Sequence, residues 1–204
     1  GDLTWVTHLG MSGRIQISDR LEPVETHANV LIDLASGPQI RFVDPRTFGF
    51  MNVFTPDEFA ASSIAALGPD ALDELPRSRV LADMLGRRAA PIKAILLDQR
   101  FVAGLGNIYA DEVLFRAGVS PHRSGASLTS DEVQAVRAAI RPILKAGLDA
   151  GGTSLDDLAY LLPDGRAGDY MARLNVYGRH GMDCNRCGTP VTSTVLRGRT
   201  THWC

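Results

Sequence analysis

No apolar run in this 204-residue sequence is long enough to cross a membrane, and no signal peptide is visible. Cysteine is scarce: the three present all fall in the last 21 residues. Three thiols cannot close a disulfide framework, which points to metal chemistry in a reducing compartment. There is no internal repeat and no low-complexity tract. A formal charge of −2 argues against a uniformly basic nucleic-acid binder. The charge is unevenly spread, however. From Arg166 to Cys204 six Arg stand against two Asp, a local balance of +4. A hydrophobic content of 45% with mean hydropathy near zero describes a globular chain with room for one large or two small cores. The chain starts at Gly1 and enters at once the strand-like run Leu3 to His8, which reads as a fragment of a longer protein.

Residues 1 to 54 have β character. Gly10 and Gly13 punctuate an apolar strand and its successor Arg14 to Ile17, which alternates with period two. Val30 to Leu34 and Ile40 to Val43 flank Ala35-Ser36-Gly37-Pro38, a hairpin signal. Phe50 to Phe54 follows the loop Asp44-Pro45-Arg46-Thr47-Phe48-Gly49 as a further strand. The pattern predicts antiparallel sheet, part of a sandwich or open barrel. From Thr55-Pro56 the style changes. Residues 57 to 75 are acidic and Ala-rich, with Leu67-Gly68-Pro69 as a linker, and helix prevails up to Leu162.

Within that region Phe101 to Pro121 is the most structured stretch of sequence. A strand-like run breaks at Gly104-Leu105-Gly106 into a helix with Asn107 where an N-cap belongs, Asp111 and Glu112 on the favourable side of the dipole, and Gly118 as the stop. A helix N-terminus behind a glycine turn is a natural phosphate seat. Thr129 to Glu132 is a capping box opening a long helix, with Val133, Val136, Ile140 and Ile143 as its buried stripe and Pro142 as a bend. Gly151 and Gly152 end it, Ser154 starts a shorter helix, and Gly165 and Gly168 bracket a loop. At the end of the chain Cys184-Asn185-Arg186-Cys187 is followed after sixteen residues by Cys204, three quarters of a zinc ribbon. Val191 to Val195 and Thr200 to Trp203 supply its hairpin.

In this order the pieces resemble the bacterial formamidopyrimidine-DNA glycosylases, repair enzymes of the helix–two-turn–helix class. The matching motifs are His8 to Gly13, Asp44 to Gly49, Pro91-Ile92-Lys93, Ala103 to Ala110, Val176 to Arg179, and the cysteine tail with Gly198-Arg199-Thr200. The resemblance covers nearly the whole chain. It implies an α+β multidomain fold: a partial β-sandwich over residues 1–66, a helix–two-turn–helix domain over 67–172 and a zinc finger over 173–204. The implied activity is glycosylase and AP lyase chemistry on oxidised purines, by base flipping, Schiff-base formation and β,δ-elimination.

Residue by residue, the resemblance implies that Met11, Arg46 and Phe48 fill the gap left by the flipped base, with Arg46 reading the orphaned partner, a cytosine in family terms. It assigns phosphate contacts to Lys93, Asn107, Tyr177 and Arg199, with His8 and His27 contributing, and gives Arg199 a part in the second elimination. It implies one structural zinc ion on Cys184, Cys187 and Cys204, damaged double-stranded DNA as partner, a monomer, and a bacterial cytoplasmic, nucleoid-associated location. Some family features are altered. The family's Pro-Glu terminus and β-domain lysine have no counterpart in residues 1 to 54, which hold no lysine, so the 204 residues alone are expected to lack activity. The fourth zinc thiolate would lie beyond Cys204, so the zinc is expected to be weakly held, with His180 or His202 the first substitutes. Thr47 and Asn29 replace an arginine and a histidine, and the lesion loop Asp164 to Tyr170 departs from the common pattern. Two other functions compete: an endonuclease VIII-like enzyme for oxidised pyrimidines, against which Met11, Arg46 and Phe48 speak, and a non-catalytic DNA-binding protein on the same modules.

Overall fold

The computed structural model describes residues 2–153, 162 and 166–204. The chain divides into two compact units, one of Gly1–Ala65 with Gly147–Ala172, the other of Ala66–Ala146 with Arg173–Cys204. The first unit holds strands β1 (Thr4–His8), β2 (Arg14–Ser18), β3 (Ala28–Asp33), β4 (Gln39–Val43) and β5 (Phe50–Phe54), followed by the short helix α1 (Pro56–Ala61). They make two antiparallel sheets, β1 with β5 and a second in the order β2-β4-β3. The β3–β4 pair carries a register shift between Ala28 and Val30, where an extra residue is accommodated. Every strand lies within a residue or two of where alternation and turn signals place it.

β4 is the buried strand, with Gln39, Arg41, Phe42 and Val43 all withdrawn from solvent. Its Arg41 is fully buried and fans its guanidinium over the segment before β3: it donates to the carbonyls of Pro23, Asp19 and Glu22 at 2.7, 3.0 and 2.8 Å. A buried guanidinium is tolerated because carbonyl acceptors and the carboxylate of Glu25, at 3.5 Å, replace its water. α1 lies within the stretch the sequence presents as acidic and Ala-rich, and it starts with a capping box: Thr55 accepts from the Glu58 amide while Glu58 accepts from the Thr55 amide.

The second unit contains α2 (Ser78–Gly86), α3 (Ile92–Leu96), α4 (Asn107–Ala117), most of α5 (Ser130–Asp149), and the hairpin β6 (Thr192–Leu196) with β7 (Arg199–Trp203). One core serves the helices. Leu81 and Leu85 of α2, Ile92, Ile95 and Leu96 of α3, Val113 and Leu114 of α4, and Val133, Val136, Ile140 and Ile143 of α5 are packed there, each at 5% exposure or less. Each such side chain contributes about 1.5–3 kcal/mol through the water it releases. α5 runs on through Pro142, and Gly118 ends α4 at φ 68°.

Two segments depart from their sequence reading. The Phe101 run is not a strand: Phe101 and Val102 lie in a buried turn joined to Asp70 by one parallel bridge through Ala103. Leu67-Gly68-Pro69 is not a free linker. The Gly68 amide donates to the Gln99 carbonyl at 2.8 Å and the Ala103 amide to the Pro69 carbonyl at 3.0 Å. A Cβ at Gly68 would lie 2.7 Å from the Arg100 carbonyl oxygen, so the close approach requires glycine. The Ser154 helix and the Gly165 end of the loop after it fall outside the described residues.

The α5 capping box forms as the sequence predicts, with Thr129 N donating to Glu132 Oε2 at 2.8 Å and Glu132 N to Thr129 Oγ1 at 3.3 Å. Thr129→Ala should therefore destabilise the helical unit by about 1 kcal/mol. Chemical unfolding followed by helical signal measures it, and an unchanged midpoint would show that the cap contributes nothing.

Candidate nucleic-acid interface

In the first unit the site residues sit on turns, and the turns are built by one carboxylate. Asp44 is fully buried at the end of β4. It accepts from Ser12 Oγ at 2.6 Å, from Gly49 N at 2.8 Å and from Arg46 N at 3.3 Å. Its own amide donates to the His27 carbonyl at 3.0 Å, and Asn29 Nδ2 donates to its carbonyl, also at 3.0 Å. The turns bearing Met11, His27, Arg46 and Phe48 thus meet at Asp44. Glycine lets the first and last of them touch: a Cβ on Gly10 would lie 2.8 Å from Gly49 N, and one on Gly49 would lie 2.6 Å from the Phe42 ring.

What this frame holds out is apolar and cationic. Met11 is 63% and Phe48 59% exposed, and the Arg46 guanidinium lies 5.1 Å above the Phe48 ring. Large apolar side chains that a core could have buried stand in water instead, beside an arginine. Thr47 between them adopts φ 54°, an uncommon conformation for a β-branched residue, with its hydroxyl donating to the Arg46 carbonyl at 2.8 Å. His27 is also left-handed at φ 70° and exposed. His8 is exposed, accepts from Gly10 N through Nδ1 at 3.1 Å and stacks on Phe50.

The second unit is organised by an ion pair. Lys93, to which the resemblance assigns a phosphate contact, is wholly buried: Nζ lies 2.7 Å from Asp111 Oδ1 and donates to the Thr200 carbonyl at 2.9 Å and to Thr201 Oγ1 at 2.8 Å. Three partners use its three protons. The other Asp111 oxygen accepts from His202 N at 2.9 Å. Burial draws Lys93 below the ordinary lysine value and lifts Asp111 above the ordinary carboxyl value, against the mutual attraction that favours both charges. Asn107 is not the N-cap of α4. Gly106 is, and the Asn107 side-chain amide instead donates to the Thr200 carbonyl at 3.1 Å. Asn107 Oδ1, the atom that a cap would use, has no hydrogen-bond partner among the described residues.

Glu112 is the second acid that reads as a dipole partner and proves to be buried. It accepts from the amides of Asn175, Val176 and Tyr177 and from Asn175 Nδ2, all between 2.8 and 3.0 Å. That fixes the start of the Val176 to Arg179 motif, and the Tyr177 ring packs edge-on against His202. Asn107, Tyr177 and Arg199 are thereby held around one hairpin, with Arg199 exposed at the start of β7.

Cys184, Cys187 and Cys204 bring their sulfurs within 4.8 Å of one another, and Cys187 Sγ lies 3.4 Å from Cys204 Sγ. Thiolates around one tetrahedral zinc stand about 3.8 Å apart, so the cluster fits a metal ion. Arg186 N donates to Cys184 Sγ at 3.4 Å, and Cys184 packs with Val176, Val191 and Phe115. Hydrogen bonds from Thr189, side chain first, bring the Cys187 thiol down to about 7, while Cys204, beside Cys187 and Cys184, is pushed up to about 12. His180 and His202 are not in the cluster among the described residues, and the His202 ring instead lies with Nδ1 3.6 Å from Asp111 Oδ2.

The chain matches two family models, Formamidopyrimidine-DNA glycosylase N-terminal domain over residues 1–51 and Formamidopyrimidine-DNA glycosylase H2TH domain over residues 67–158. It is 43% identical to the formamidopyrimidine-DNA glycosylase of Moorella thermoacetica over 94% of this chain and 69% of that relative. The chain belongs to the formamidopyrimidine-DNA glycosylase family. A crystal structure of the MutM (Fpg) protein of Thermus thermophilus superposes with a TM-score of 0.89 at 40% identity, over all of this chain and 75% of that one. The Lactococcus lactis Fpg in complex with DNA containing an abasic site does so with 0.87 at 29% identity, again over the whole of this chain and 74% of the other. The family is one of DNA glycosylases with AP lyase activity acting in base-excision repair. No helix among the described residues is long and apolar enough to cross a membrane.

Sequence reasoning names Met11, Arg46 and Phe48 but not the carboxylate that presents them, although Asp44 and Ser12 stand inside the motifs. Burial alone would raise the Asp44 carboxyl, yet Ser12 and the amides of Gly49, Arg46 and Thr47 together hold it below its ordinary value of 3.8. A depressed folded value stabilises the turn fully above the unfolded value and loses that contribution as pH falls through the folded one. Asp44→Asn should cost about 1–3 kcal/mol at neutral pH. The difference between parent and variant should shrink only below pH 3.8. Equal stability at neutral pH would remove Asp44 from this role.

Proposed function

We propose that this chain binds damaged double-stranded DNA and serves the excision of oxidised purines, 8-oxoguanine and formamidopyrimidines, with base flipping, Schiff-base formation and β,δ-elimination as the chemistry. The observation that carries the reading is the exposed trio Met11, Arg46 and Phe48 on turns locked to Asp44. Extruding a base leaves a gap in the stack that apolar or planar groups must fill, at an unstacking cost of a few kcal/mol. Met11 and Phe48 supply that surface. The Arg46 fork supplies directional donors for the orphaned base, which suits a cytosine opposite the lesion.

Asn107, Tyr177 and Arg199 hold phosphates flanking the flipped nucleotide, and His8 and His27 contribute further backbone contacts. Arg199 also assists the second elimination. Lys93 acts through Thr200 and Thr201 rather than by touching DNA, since its protons are already engaged. The two sheets of the first unit form layers of a β-sandwich, residues 67–172 the helix–two-turn–helix domain and 173–204 a zinc finger, which holds one structural zinc ion on Cys184, Cys187 and Cys204. The protein works as a monomer in the bacterial cytoplasm, beside the nucleoid. The first attack needs an amine at the sugar carbon, and no lysine stands in residues 1 to 54, so these residues contribute binding and gap filling rather than the nucleophile.

The test is equilibrium binding of abasic-site duplexes carrying each of the four bases opposite the site. The parent chain should prefer cytosine. Arg46→Ala should lose that preference and about 1–3 kcal/mol of discrimination while its thermal unfolding is unchanged. An opposite-base preference intact in the variant would take Arg46 out of the site.

A further inference from the structure

Between α3, the start of α4 and the tip of the β6–β7 hairpin lies a cleft of about 800 Å³, whose lining includes Arg88, Asn107, Arg197 and Arg199. Among the described residues the only carboxylate in the lining is Asp98. It is already spent on Arg88, whose Nη1 lies 2.7 Å away, while Phe101 supports the same guanidinium from 4.9 Å. Arg88 is thereby held in one place with further N–H groups left over. At the tip, Arg197 and Gly198 form the two-residue turn of the hairpin at φ 46° and φ 77°. Two consecutive left-handed residues make a turn that favours Asn-Gly or Gly-Gly. Arginine at the first of these positions is strained, and nothing in the fold repays it. The Arg197 side chain makes no hydrogen bond or ion pair among the described residues, and neither does that of Arg199. Below them α4 opens with Gly106 as its N-cap, and Gly106 and Asn107 both line the cleft.

We propose that Arg197 and Arg88 form a second phosphate subsite, taking backbone phosphodiesters of DNA next to the one held by Asn107 and Arg199. Guanidinium forks match phosphate oxygens in pairs, and a strained cationic residue with no protein partner is retained where a ligand supplies the partner. The subsite rests on the DNA-binding reading above and extends it beyond the residues assigned there. Because phosphates carry no sequence, Arg197 and Arg88 contribute equally to damaged and undamaged duplex.

The fold itself supplies a clean variant. Arg197→Gly places at the turn the residue its backbone prefers, so the melting temperature should stay the same or rise while the guanidinium is lost. Binding of a fluorescent abasic-site duplex and of its undamaged counterpart is measured between 50 and 200 mM salt for the parent, Arg197→Gly, Arg88→Ala, and Arg79→Ala as a surface arginine outside the cleft lining. Each subsite variant should flatten the log–log salt slope by about 0.9, so that the parent's advantage over it shrinks about 3.5-fold across that range, for both duplexes alike. Arg79→Ala should keep the parent slope. A steep parent slope that Arg197→Gly and Arg88→Ala both retain overturns the subsite alone. A flat parent slope overturns the DNA-binding reading itself. A loss confined to the damaged duplex would make the two arginines lesion readers and also overturn a phosphate subsite.

Discussion

The buried pair of Lys93 and Asp111 is the contact on which the second unit depends. Neither charge is accessible to water, and each is tolerable only because the other is there. The pair also spends its remaining capacity on one strand: Lys93 donates to Thr200 and Thr201, and Asp111 accepts from His202. Three successive residues of β7 are thus pinned to α3 and α4 by charge-assisted hydrogen bonds, which are about twice as strong as neutral ones. Asn107 joins them at the same Thr200 carbonyl. Arg199, next in the chain, inherits its position from this arrangement, and the cleft it shares with Asn107 exists because the hairpin cannot drift.

The same device recurs. Asp44 gathers three turns of the β unit and Glu112 gathers the three amides from Asn175 to Tyr177. In each case a carboxylate is withdrawn from solvent so that a loop beside it is rigid, and the exposed residues on that loop are free to be apolar or cationic. Side chains exposed on such loops can vary in chemistry without cost to a core. Tying those loops to buried acids removes the entropy that would otherwise be lost on binding DNA. The cysteine cluster is likewise anchored, since Cys184 packs against Phe115 of α4 while Arg186 covers that ring from 4.4 Å.

Local chemistry was legible in the sequence where it is local in fact. Alternation placed the strands, Thr129 and Glu132 placed the start of α5, and Gly118 its predecessor's end. Met11, Arg46 and Phe48 stand within motifs the sequence displays, and all three are exposed. What depends on partners distant in sequence was not. Asp111 and Glu112 look like ordinary acids near a helix start, and only the return of the chain at residues 175–177 and 200–202 shows why they are buried. Lys93 stands in the sequence as an implied phosphate contact, and only the structure shows it paired with Asp111. Asn107 has the propensity of a cap, but it stands one position inside the helix and its side-chain amide donates to a carbonyl ninety-three residues away. The α1 capping box of Thr55 and Glu58 was present in the sequence and was masked by the alanines and acids around it.

Amide hydrogen exchange in Lys93→Met tests most directly whether the buried pair holds the hairpin. Removing one partner leaves Asp111 buried and uncompensated, at a cost of about 3–5 kcal/mol. The amides of Thr201 and His202 should then exchange faster by a factor on the order of a hundred or more, with those of the distant α5 core changed far less. Protection of β7 equal to that of the parent would show that the hairpin is held by something else, and that Lys93 and Asp111 are passengers in a fold that other contacts secure.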